Sequence, residues 1–311
     1  MEVVRLILPL FVIIFVGYLL RKTGFARAGF VDELNRLVYF IGLPALLFSE
    51  TSGIDAGHLA GGVVAVVFPL VVAATAAAGL LLTLPLPGPR RGPVVQAGFR
   101  ANLAYLGLPI VSTALGEETL GVIALIIAVG VITNTFLSIL ILGFLRPSSV
   151  SAAGAEANRS VPTGPLRAML RNPLLIAIAA GLLFSAAGWS LPRILEQPIE
   201  LLARMSLPLI LLVLGLSLSF TELGRHFPTA ALAAALKLVL MPAIAWIMAG
   251  WVFNVPSQAA DTLVLMSAMP SAVASQTFAK AFDADSAVSA SSVSLTTLLA
   301  VVTVPLLMLL L

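Results

Sequence analysis

The chain has 311 residues, 60% of them apolar and 10% charged, with two histidines and no cysteine. A mean hydropathy of +1.10 is far above that of a soluble domain and marks an integral membrane protein. Without cysteine there is no disulfide framework, thiol nucleophile or thiolate metal site, and His58 and His226 fall far apart in loops, so neither a metal nor a cofactor is expected. The net charge of +3 resides in loops between apolar runs rather than in a patch interleaved with aromatics, which reads as a topology signal and not as a nucleic-acid surface.

Long Leu, Val, Ala and Ile runs fit helical spans of about 20 residues, not the ~10-residue alternating strands of a barrel. The expected fold class is therefore an all-α polytopic membrane protein. Apolar runs bounded by polar or Gly/Pro-rich breaks predict ten spans, at 3–20, 34–49, 59–84, 94–115, 119–145, 172–189, 206–221, 228–253, 260–282 and 286–310. The first run is followed by Arg21 and Lys22 and has no small-residue cleavage site, so it reads as a retained helix. Eleven of the 17 basic residues follow odd-numbered spans and three lie opposite. The positive-inside rule then places the odd loops in the cytoplasm and both termini outside, in the cell (inner) membrane.

The Ser-, Ala-, Gly- and Pro-rich stretch within 147–171 reads as a cytoplasmic linker between a first repeat, 1–146, and a second, 172–311. Prolines recur in the same order on either side: Pro44, Pro69 and Pro109 in spans 2, 3 and 4, then Pro208, Pro242 and Pro270 in spans 7, 8 and 9. Chance alignment among 20 prolines competes with a true repeat. If the repeat is real, five spans per copy make the second copy inverted.

Spans 4 and 9 are interrupted at their centres by proline among small and polar residues, over 101–109 and 267–276. Such a break frees backbone groups that lipid cannot satisfy, and it survives where protein or a wet cavity receives them. Helix-compatible sequence follows Pro109 and Pro270, which predicts that each proline opens a half-helix whose N-terminus offers free N–H groups to an anion. Candidate binding residues are Asn102, Tyr105, Gly107 and Pro109 at the first break and Pro270, Ser271, Ser275 and Gln276 at the second. Each polar member has a structural alternative: Asn102 could bond the broken backbone, and the serines their own helices.

Three basic residues fall within spans. Arg36 and Arg100, near cytoplasmic ends, are expected to snorkel, whereas Lys237 lies well inside span 8 and could reach carbonyls released by a broken helix. No Asp or Glu occupies the middle of a span, so no buried carboxylate relay is visible and an anion is favoured over a cation as cargo.

The stretches 34–44, 102–109, 237–242 and 269–282, in that order and spacing, resemble the auxin efflux carrier family of bacterial permeases and plant auxin exporters. The resemblance implies a fold similar to bile-acid/sodium symporters: ten helices in two inverted five-helix repeats, with broken helices 4 and 9 crossing. Spans 1, 2, 6 and 7 would form a scaffold and the other six a moving transport domain. It implies that Asn102 contacts carboxylate substrates and that Lys237 stabilises the crossover, where related symporters hold Na⁺. Span 9 departs from the pattern: many members carry Asn shortly after the proline, where this chain has Ala274, Ser275 and Gln276. The implied function is a secondary transporter, an efflux or uptake permease for a small organic anion such as malate or malonate, working by elevator-type alternating access. The implied partners are that anion and membrane lipid, with a homodimer through the scaffold helices and no nucleic acid. An intramembrane enzyme is the rival class, but no nucleophile–base pair, carboxylate pair or metal site lies within the spans. A channel-like pore would instead require oligomeric symmetry.

Overall fold

The structure, a computed structural model, describes residues 2–52, 62–145, 172–218 and 220–311. The expected linker at 147–171, His58, and the first residues of the third span, 59–61, lie outside the described residues. Regular structure among the described residues is helical, and five helices are long and apolar enough to cross a membrane unaided. These are Val64–Leu82, Glu117–Phe144, Arg193–Ser217, Phe227–Val252 and Ser286–Leu310.

In chain order the helices are α1 (Glu2–Lys22), α2 (28–52), α3 (Val64–Leu82), α4 (Gly88–Phe99), α5 (Leu103–Leu115) and α6 (Leu120–Phe144). They continue as α7 (Pro173–Ala186), α8 (Arg193–Ser217), α9 (Phe220–Arg225), α10 (Phe227–Val252), α11 (Ser257–Ser267), α12 (Ala274–Ala281) and α13 (Ser286–Leu310). The fourth and ninth expected spans are thus each two helices, α4 with α5 and α11 with α12.

Proline explains three local distortions. A π-turn over Val38–Gly42 precedes Pro44, another over Leu103–Gly107 precedes Pro109, and a third over Leu236–Leu240 precedes Pro242. Each ends two residues before its proline, and the intervening residue donates five back: Leu43 to Val38, Leu108 to Leu103, Met241 to Leu236. A proline ring clashes with the carbonyl four residues back and offers no N–H to it, so one widened turn lets the helix continue. Pro109 falls in the first turn of the α-helical segment Leu108–Leu115, as expected, but the helical path of α5 already begins with the π-turn at Leu103.

The helices pack in two groups. In the first, α1 lies along α8 while α2 packs on α7 and α8. The approach of α1 to α8 depends on glycine: a Cβ on Gly17 would strike the Leu212 backbone, and one on Gly215 the Ile14 backbone. Arg21, in the last turn of α1, donates from Nη1 to the Leu216 and Leu218 carbonyls (3.0 and 2.8 Å) at the end of α8. The second group holds α3 to α6 and α9 to α13, with α3 on α6, α4 on α10 and α13 on α10 and α12.

Large apolar side chains cover the exterior, and a set of polar residues is buried within the apolar core. Phe144, Trp251 and Val302 face outward at 82%, 77% and 67% exposure, whereas Lys237, Gln96 and the serines of α13 at 289, 291, 292 and 294 are buried. An apolar exterior, with the buried polar groups set within an apolar core, is what a lipid solvent demands.

Candidate functional site

Helix α4 ends at Phe99, and Arg100 turns to extended backbone (φ −81°, ψ 92°). Helix α11 ends at Ser267, and Pro270 lies in the gap before α12 begins at Ala274. Proline in that extended segment is four residues short of α12, so the expectation that it opens the half-helix is corrected. Its missing N–H suits a position whose partner strand needs only the carbonyl.

The two gaps meet. Asn102 N donates to Pro270 O at 2.8 Å and Ala272 N to Arg100 O at 2.9 Å, so that Ala101 lies opposite Ser271 in an antiparallel bridge. Backbone groups freed by one broken helix are thus received by the other, which is how lipid-depth irregularity is made tolerable. Two helix C-termini and two N-termini converge on this point.

Side chains close the C-terminal ends. Ser271, fully buried, donates its hydroxyl to the Ala97 carbonyl of α4 at 2.7 Å, and its amide donates to Thr296 Oγ1 of α13 at 3.1 Å. Lys237, also fully buried, donates Nζ to the Ser267 carbonyl of α11 at 2.6 Å and contacts Met241 Sδ. A cation at a helix C-terminus meets the negative end of the macrodipole.

The N-terminal ends are different. The first N–H groups of α5 have no intrahelical acceptor, whereas in α12 Ser275 N donates to Ala272 O at 3.0 Å and Gln276 N to Val273 O at 3.1 Å. Beside them, Asn102 Nδ2, Ser275 Oγ and Gln276 Nε2 are buried with no hydrogen-bond partner. Tyr105 turns away to α2, donating its hydroxyl to Asn35 Oδ1 at 2.8 Å. Gly107 is where α5 approaches α11, since a Cβ there would meet Met266 Sδ, and Pro109 is buried within α5. The structure therefore brings Asn102, Pro270, Ser271, Ser275 and Gln276 to the bridge or its adjoining helix ends, and places Tyr105, Gly107 and Pro109 further along α5.

Two residues shortly before the bridge in sequence were not among the expected site residues. Gln96, fully buried on α4, has both amide atoms without a partner. Arg100, expected to snorkel, instead donates Nη1 to the Asn134 carbonyl and Ser138 Oγ of α6, both at 3.1 Å. Its Cζ lies 4.4 Å from the Phe278 ring centroid of α12. Its position two residues before Asn102 was the available signal. Arg36 does reach the surface, beside Glu33.

A family model described as membrane transport protein matches residues 2–308. The chain belongs to that family. It is the auxin efflux carrier family that the motifs resemble. One relative, named "Putative malonate transporter" in Rhizobium meliloti (strain 1021), is 26% identical over 97% of this chain and 94% of its own length. A second, named an uncharacterized transporter in Methanothermobacter thermautotrophicus, is 28% identical over 96% of this chain and 95% of its own. This family member is thus a membrane-embedded chain whose relatives are transporters, and the family points away from an enzyme.

Proposed function

We propose that the protein is a secondary transporter for a small organic anion, a carboxylate, bound where the broken spans meet. The carrying observation is the bridge at Ala101 and Ser271, beside which two helix N-termini and the unpartnered donors of Asn102 and Gln276 converge. Helix N-termini and amide N–H groups suit a carboxylate. A relative named for malonate supports that class of cargo.

In this reading the ten spans form two inverted repeats, 1–146 and 172–311, with both termini outside the cell membrane. Elevator-type movement carries the group of α3 to α6 and α9 to α13 past α1, α2, α7 and α8. The Tyr105–Asn35 hydrogen bond ties the groups in this state and must break in the other. Lys237 holds the end of α11 in place of a coupling cation, Ser271 holds the end of α4, and Asn102, Ser275 and Gln276 meet the cargo. A homodimer through the first group would use the exposed Phe30, Leu37, Phe40 and Ile41 of α2.

Uptake into proteoliposomes from a panel of acetate, malonate, malate and succinate tests the assignment. Asn102→Ala is expected to reduce uptake of the transported member about tenfold or more, the worth of a lost hydrogen bond to a charged group. Unchanged uptake would remove Asn102 from the site.

A further inference from the structure

Side chains alternate along an extended segment, so residues two apart share a face. Arg100 and Asn102 flank Ala101 and therefore stand on one face of the bridge. Ala101 and Ser271 take the other, where the Ser271 hydroxyl is held by Ala97. Opposite Asn102 and Arg100 are Pro270 and Ala272, both small.

Arg100 is a cation without an anion. Its Nη1 is held by the neutral oxygens of Asn134 and Ser138, an aromatic ring lies against Cζ, and Nε is buried with no acceptor. Among the described residues no Asp or Glu forms an ion pair with it. A buried charge is costly unless paired, and a guanidinium fork fits a carboxylate with two parallel hydrogen bonds. Lys237 cannot serve in its place, being engaged at the end of α11.

We propose that Arg100 is the charge-selecting residue of the cargo site, the group that reads a second carboxylate on the cargo. One carboxylate lies on Asn102 and the neutral helix N-termini, and the second on the guanidinium. Two residues of extended chain span about 6.6 Å, a separation that a short dicarboxylate and the reach of the arginine side chain can bridge. The inference rests on the reading of the crossover as the cargo site.

Malonate and its monomethyl ester, titrated separately against the purified full chain by calorimetry, test it. The wild type is expected to bind malonate at least about tenfold more tightly than the ester, because the ester cannot offer a second charge to the guanidinium. Arg100→Gln is expected to weaken malonate about 10- to 100-fold and to leave the ester within about twofold. Arg100→Lys, which keeps the charge and loses the fork, should fall between. Equal binding of malonate and ester by the wild type overturns the proposal without recourse to any variant. Malonate binding by Arg100→Gln at wild-type strength, or equal loss of malonate and ester, does so as well. If the wild type binds neither compound, the carboxylate reading of the crossover fails along with the proposal. If it binds both alike, only the role of Arg100 fails.

Discussion

Asn102 and Ser271 belong to the same bridge, yet their side chains meet different surroundings. The Ser271 hydroxyl completes the last turn of α4 by donating to Ala97, and both groups are buried. Asn102 Nδ2 is equally buried and donates to nothing. Removing the first should therefore cost stability, since a buried carbonyl left alone costs about 1–3 kcal/mol. Ser271→Ala is expected to lower the melting temperature while leaving the cargo KM near its wild-type value, as measured by thermal unfolding and proteoliposome uptake. A raised KM with an unchanged melting temperature would instead assign Ser271 to the cargo. Asn102 could be picked out from its position before a proline in an apolar run. The commitment of Ser271 to Ala97 could not, because that contact spans 174 positions of sequence.

At the scale of elements, the prolines were legible and their effects were not. Sequence spacing marks Pro109 as a break, but the chain widens one turn ahead of it and remains helical. The real interruption lies at Arg100 to Asn102, where the backbone finds partners on a segment about 170 residues away. A local pattern cannot reveal such a partner, and for the same reason Arg100 looked like a span-end residue free to snorkel. The π-turn has a functional corollary. Pro109→Ala restores an N–H at that position and lets the turn close to α geometry, rotating the start of α5, and with it Asn102, by up to about 100°. This variant is expected to unfold at or above the wild-type temperature, because proline disfavours a helix interior, while its uptake falls at least about tenfold. Full uptake would show that the widened turn does not position Asn102.

For the whole molecule, the apolar composition and the lack of Asp or Glu at the middle of any expected span were readable from the sequence, and the membrane assignment followed. The division into two packed groups needed the structure, because it depends on close approaches such as Gly17 and Gly215 between α1 and α8. In the proposed reading that division, with one bridge holding the broken spans inside the second group, is the basis for alternating access. Counterflow in proteoliposomes tests this most directly. Loading vesicles with unlabelled carboxylate from the panel should accelerate entry of the same labelled compound several-fold, with saturation at high concentration, because a carrier returns faster when loaded. Entry that rises linearly with concentration and ignores the internal carboxylate would contradict a carrier with a single alternately exposed site.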